Sequence, residues 1–255
     1  MPNMTFTEAN RTYFDKQASM YDDRFAGVIQ TLSEQTIQRR HWISDRWTDT
    51  AAGQGQEIRA LDYAAGPGYI SMTLAPYLSK VIGIDLSPNM VARYNSNAHA
   101  AGLSSKMIGY QADLISEPPS TDSAAWKDVD LLIISMALHH FEFPGQALQK
   151  LGQRVKQGGV CFIIDIMGHS SPQHHHHGPH GEDQGSRKPE SPFKEFKEAS
   201  ATIQTHGFVQ EDMAKLFREA GFESPEYLAL EKPLEFTMDG QTVSMTAFMA
   251  KAKRA

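Results

Sequence analysis

The chain has 255 residues and a mass of 28.4 kDa, and is 40% hydrophobic and 21% charged, within the range of one soluble α/β domain with small additions. A formal charge of −6 without a compact Lys/Arg block argues against non-specific nucleic-acid binding, and no apolar run is long enough to span a bilayer. Cys161 is the only cysteine, which excludes an intrachain disulfide, and a polar amino terminus without signal-peptide order makes the cytoplasm the default location.

In chain order, Phe6, Tyr13, Phe14, Tyr21 and Phe25 are spaced unevenly among charges, which predicts two short helical pieces with a local break at Gly27. Ile29, Leu32, Ile37, Ile43 and Trp47 then mark an interrupted amphipathic helix from Ile29 to about Trp47. Residues 1–50 are expected to be an amino-terminal helical part of the same domain as a core of residues 51–255. The sequence Gly53-Gln-Gly55-Gln leads flexibly into a strand at Ile58–Tyr63. A glycine turn, a helix around Tyr69–Leu78, a strand at Lys80–Ile84 and a helix opening near Ser87 or Pro88 complete a βαβ unit.

Met107–Gln111 and Val129–Ile134 read as further strands, the second apolar enough to be covered on both faces. Gly145–Val155 is predicted to be a helix, and Gly158-Gly159 turns the chain into a strand at Val160–Ile166. Residues 168–192 hold histidines, glycines, prolines and charges with few apolar anchors, as expected of a mobile insertion. Phe193–Gln204 and Gln210–Ala220 resume as helices. Tyr227–Leu230 and Val243–Met249 are predicted as the strands of a closing antiparallel hairpin, with a turn around Asp239-Gly240.

The most informative chemistry lies at the first two strand ends. Gly66 and Gly68 flank Pro67 after Leu61-Asp62-Tyr63, a turn that lets backbone approach a ligand closely or that only connects strand to helix. Asp85 ends the second strand, where its carboxylate can accept from both hydroxyls of a ribose or cap the following helix. Asp113, after the third strand, can accept from an adenine exocyclic N–H with Leu114 covering the base, or equally cap a loop or the next element. Met90 packs beside adenine or within its own helix.

The succession Leu61–Gly68, Gly83-Ile-Asp-Leu-Ser-Pro-Asn-Met90, Gln111-Ala-Asp-Leu114 and Asp130–His140 resembles class I S-adenosylmethionine-dependent methyltransferases. The segment Tyr13–Asp22 is similar to the cap of the ubiquinone/menaquinone biosynthesis methyltransferase-like branch. The resemblance implies a Rossmann-like, seven-stranded, mostly parallel sheet with helices on both faces and a final antiparallel strand. It further implies S-adenosyl-L-methionine contacts from Tyr13, Ala64, Gly66, Gly68, Asp85, Leu86, Met90, Asp113, Leu114 and Ser135. Ala64 departs from the first glycine common in the family turn.

For the methyl acceptor, Tyr21 and Phe25 of the cap, His41 and Trp42, and Met136 and His140 after the fourth strand are candidate contacts, with helix and core packing as their plainer roles. His139 is the candidate catalytic residue, since histidine titrates near neutral pH, although packing or capping also accounts for it. Asp165 either lines the pocket or satisfies the segment that follows. The run His174–His177, with His169 and His180, lacks a mixed ligand set, so no metal site is assigned.

The expected activity is direct in-line methyl transfer to a small metabolite, a thiol or a phenol, with a specialised molecule ranked ahead of a quinone precursor. The alternatives are a non-catalytic S-adenosylmethionine-binding regulator and an NAD-dependent oxidoreductase. No nucleic-acid or membrane partner is expected, and the oligomeric state is not legible.

Overall fold

A computed structural model describes residues 4–168, 201–238 and 241–255. Residues 169–192 of the insertion expected at 168–192, residues 193–200 of the helix expected at Phe193–Gln204 and the turn at Asp239-Gly240 lie outside the described residues, as does the histidine run.

Seven strands form one sheet: β1 (Arg59–Tyr63), β2 (Lys80–Asp85), β3 (Met107–Gln111), β4 (Val129–Ser135), β5 (Val155–Ile166), β6 (Phe222–Ala229) and β9 (Ala247–Arg254), in the order β3-β2-β1-β4-β5-β9-β6. The first five run parallel, and β9 is inserted antiparallel between β5 and β6. This is the seven-stranded, mostly parallel architecture expected of the resemblance. Strand order reverses between β1 and β4, and a crevice opens there beyond the carboxyl ends of the strands.

Alternation along the strands supplies both faces of the sheet. In β4, Leu131 and Ile133 join the core with Leu74, Tyr94 and Phe162, while Leu132 and Ile134 join the opposite one with Leu148, Phe217 and Phe222. Helices α4 (Tyr69–Leu74) and α5 (Pro88–Ala100) contribute to the first core, and α6 (Pro144–Gly152) and α7 (Gln210–Glu219) to the second.

The cap consists of α1 (Phe6–Gln17), α2 (Tyr21–Gln38) and the single turn α3 (Arg40–Ile43). Thr5 and Glu8 close a reciprocal capping box at the start of α1. Gly27 is not the break: α2 runs through it and bends at Phe25 instead (φ −112°, ψ 16°), so the long helix begins eight residues before Ile29. Trp47 lies beyond the helices, fully buried, and its indole donates to the Ser44 carbonyl at 2.7 Å.

The closing hairpin is also corrected. Residues expected as one strand, Val243–Met249, belong to two: β8 (Gln241–Met245) pairs with β7 (Leu234–Met238) in a separate ribbon, and β9 joins the main sheet. Thr246 separates them, and its carbonyl accepts from the Met167 N–H at 2.9 Å. Gly158-Gly159 lies inside β5, which begins at Val155, and a shift in register between β4 and β5 accommodates it.

Candidate active site

The glycine turn joins β1 to α4 through three residues with positive φ: Ala64 (56°), Gly66 (51°) and Gly68 (85°). The two glycines do different work. A Cβ on Gly66 would meet no atom within 4 Å, so the space above it is open, whereas one on Gly68 would lie 2.5 Å from the Tyr94 ring. Gly83 and Gly109 are equally close to that ring, at 2.5 and 2.9 Å, so three glycines form the slot that seats Tyr94 beneath the turn. Ala64 takes the left-handed backbone with a methyl group, at a cost of about 1–2 kcal/mol.

Asp85 clasps this turn to the next helix. Its Oδ2 accepts from the Gly66 N–H at 2.8 Å and its Oδ1 from the Ser87 N–H at 2.9 Å. The cap of α5 is Ser87, whose Oγ accepts from the Met90 N–H, so Asp85 is not the capping residue. Burial pushes the Asp85 carboxyl up to about 6, against the N–H bonds from Ser87 and Gly66 that favour its charge. Burial likewise raises Asp62 to about 7, opposed by the Ser71 hydroxyl at 2.7 Å and reinforced by Asp85.

These groups border a cavity of about 420 Å³ at the carboxyl ends of β1, β2 and β4. Of the residues expected to hold the cofactor, Ala64, Gly66, Asp85, Leu86, Met90, Asp113 and Ser135 line it. Gly68 lies beneath it against Tyr94, Leu114 is buried in the α6–α7 core, and Tyr13 borders an adjoining smaller cavity. Asp113 closes its own loop, accepting from the Ile115 and Ser116 N–H groups at 3.0 Å each, and the Tyr63 hydroxyl lies 3.3 Å from it.

The cap covers the cavity with Phe14, Tyr21, Phe25 and Val28. Two polar contacts hold it down. Asp15 accepts from the Ser87 hydroxyl at 2.7 Å and the Asn89 N–H at 3.0 Å, and Asp22 pairs with Arg93 of α5. Burial, with Asp85 nearby, pushes the Tyr21 phenol up to about 12.

Tyr21, Phe25, Met136 and His140 therefore meet around the cavity, whereas His41 and Trp42 lie away from it. The Trp42 indole donates to Glu226 of β6 at 2.8 Å with the Lys251 ammonium over its ring, and His41 lies beside the Arg40 guanidinium. Trp42 thus faces β6 and β9. His139 faces the smaller cavity and is bonded to Asp165. Cys161 is buried in the middle of β5.

Three neighbours were not singled out from the sequence. Asp62 is a carboxylate inside an otherwise apolar buried strand, a pattern that could have flagged it. Asn10 and Asp15 carry no such signal, since their roles arise only where α1 docks.

Three features of the site fit S-adenosylmethionine. The carboxylate of Asp85 is presented at the open turn, the backbone of Gly66 is uncovered, and Asp62 Oδ1 is buried beside the cavity without a hydrogen-bond partner among the described residues. Acceptors for ribose hydroxyls and an uncompensated carboxylate for an ammonium fit this group.

Residues 61–163 match the methyltransferase domain family. An uncharacterized methyltransferase of Schizosaccharomyces pombe is 31% identical over 108 residues, 42% of this chain and 38% of that protein. The uncharacterized methyltransferase YcgJ of Bacillus subtilis is 28% identical over 167 residues, 64% of this chain and 56% of that one. The chain thus spans about half the length of these curated relatives or less. Among solved structures, DhpI in its SAH complex superposes with a TM-score of 0.62 at 15% identity, over 97% of this chain and 96% of that chain. A SAM-dependent methyltransferase of Thermotoga maritima superposes at 0.59 and 13%, over 96% and 100%. The fold of such proteins therefore extends over nearly the whole chain, and residues 61–163 carry the match to the methyltransferase domain.

Proposed function

We propose that this protein transfers a methyl group from S-adenosylmethionine to a thiol or phenol of a small metabolite by direct in-line displacement. The observation that carries this reading is the Gly66–Asp85–Ser87 clasp at the floor of a capped cavity. When bound, S-adenosylmethionine supplies an electrophilic methyl group on a sulfonium, and S-adenosylhomocysteine is the product.

The chain's own residues bind, orient and exclude water. Asp85 accepts from the ribose hydroxyls, Leu86, Met90 and Asp113 border the base, and Asp62 faces the amino-acid end. The aromatic underside of the cap keeps water from the reacting centre, and alignment of donor and acceptor lowers the barrier. A small acceptor accords with the capped cavity and with the net charge of −6, which disfavours a nucleic acid. Tyr13–Asp22, the segment similar to the quinone-type branch, supplies part of that cap.

Incubation with S-adenosylmethionine and panels of phenols, thiols and quinones, followed by mass detection of the methylated product and S-adenosylhomocysteine, tests the activity. Calorimetry tests the site. Asp85→Asn places an amide NH₂ against the N–H of Gly66 or Ser87 and removes a charged acceptor, so affinity should fall by about 10- to 100-fold with the fold retained by circular dichroism. Unchanged affinity would remove Asp85 from the cofactor site.

A further inference from the structure

A second, smaller cavity of about 90 Å³ adjoins the first, and Phe14, Tyr21, Phe25, Val28, Met136 and His140 line both. Its remaining walls include Ile166 of β5 and Met245 of β8, and its described lining contains no Asp, Glu, Lys or Arg. Such a wall of rings, thioethers and aliphatic groups favours a flat, uncharged guest, because an ammonium or carboxylate entering it would lose water without gaining a countercharge.

Gln17 and Thr202 also line this space, and two histidines form a polar edge. Strands β4 and β5 pair directly, so the turn after β4 lies against the carboxyl end of β5 and brings His139 Nδ1 to 2.6 Å from Asp165 Oδ1. Asp165 is fully buried and also accepts from the Ile166 N–H at 2.6 Å and the His139 N–H at 3.2 Å. A carboxylate at Nδ1 assigns the proton to that nitrogen and leaves the lone pair on Nε2, which has no hydrogen-bond partner among the described residues. The ring is also fixed through its backbone, since the His139 carbonyl accepts from the N–H groups of Gln204 and Thr205 at 3.0 and 3.1 Å. The His140 ring lies tilted with its centroid 3.9 Å away and its Nδ1 bonds the Thr202 carbonyl at 2.7 Å, and burial lowers its pKa well below the usual imidazole value.

We propose that the second cavity is the acceptor site, that its substrate is an uncharged single-ring phenol, and that His139, oriented by Asp165, is the base that takes the phenol's proton. This rests on the methyltransferase reading. The phenol O–H bond breaks with its proton passing to His139 Nε2, and an oxygen lone pair forms the bond to the methyl carbon. The carbon–sulfur bond breaks with its electron pair remaining on sulfur, and the imidazolium formed beside Asp165 then releases the proton to water. A base selects for this acceptor. A thiol, with a reference pKa near 8.5, ionises more readily without help than a phenol near 10, and an alkylammonium has no carboxylate here to receive it.

The test begins without cofactor, by titrating the protein with 4-nitrophenol and following the phenolate absorption band. The bound phenol should ionise at lower pH than the free one, and His139→Gln should abolish that displacement while binding persists. Asp165→Asn should diminish it by releasing the tautomer. Met245→Trp fills the cavity without touching the dyad, and should weaken nitrophenol binding at least ~10-fold with S-adenosylmethionine affinity unchanged. With cofactor present, the phenol should be methylated ahead of its aniline counterpart, and His139→Gln should slow phenol methylation by about 100-fold or more while slowing that of the thiophenol much less. An unshifted phenolate band, unaltered turnover in His139→Gln, or preferred methylation of the amine overturns the proposal. Failure of S-adenosylmethionine to bind in calorimetry overturns the methyltransferase reading, and the cofactor-free phenolate band still decides the acceptor site.

Discussion

At the scale of single residues, the turn after β1 separates two roles that share one amino acid. Gly66 has a positive φ and open space above it, whereas Gly68 has a positive φ and the Tyr94 ring against it. Gly66→Ala should therefore cost about 1–2 kcal/mol of stability and place its methyl group toward the cofactor, so that S-adenosylmethionine affinity falls. Gly68→Ala adds overpacking against Tyr94 to the same backbone cost, for a total loss of about 2–4 kcal/mol. Urea denaturation and calorimetry on the two variants check this: Gly66→Ala should lose more in binding and Gly68→Ala more in stability. The presence of a turn was legible because glycine and proline have local conformational consequences. Which glycine faces a ligand was not, because Tyr94 lies 26 residues from Gly68 in the chain and reaches it only when α5 packs on the sheet.

At the scale of elements, the cap and α5 are joined by side chains that each complete the other's geometry. Ser87 caps α5 through Met90, and its hydroxyl donates to Asp15 of α1, which also accepts from the Asn89 N–H. The contact fastens the cap to the loop that follows Asp85. Asp15→Ala should lower stability by about 1 kcal/mol, the value of one such hydrogen-bonded contact. Amide exchange should accelerate in α1 while β1, β2 and β4 stay protected, since only the cap loses its anchor. Uniform acceleration throughout the sheet would show instead that the cap is integral to the core. The β1–α4–β2 unit was readable from apolar runs and the turn between them. The kink at Phe25 and the split of Val243–Met249 into β8 and β9 were not: apolar residues continue across both boundaries, and the change of partner at Thr246 is made by strands distant in sequence.

At the scale of the whole molecule, the sheet's reversal of order at β1 and β4, closed over by the cap, gathers buried acids in one place. Asp85 at about 6 and Asp62 at about 7 both bind protons more tightly folded than unfolded, because burial penalises their charge. Their contribution to stability is therefore present below the unfolded value near 4 and is lost as pH rises through about 6 and 7. Ribose hydroxyls need the ionised Asp85, so cofactor affinity should rise across the same interval. Thermal melts from about pH 5 to about pH 8 should show the unliganded protein losing this contribution while the increment added by S-adenosylmethionine grows. An increment that shrinks with pH would contradict an ionised Asp85 at the ribose. The sequence by itself determined the parallel core, the glycine turn, the acid at the end of β2 and the family resemblance, because each depends on residue type and spacing along a few dozen neighbours. Tertiary structure alone decided that Gly68 serves Tyr94, that His41 and Trp42 lie away from the cavity, and that His139 after β4 meets Asp165 at the end of β5, because each depends on which surfaces meet when distant segments pack.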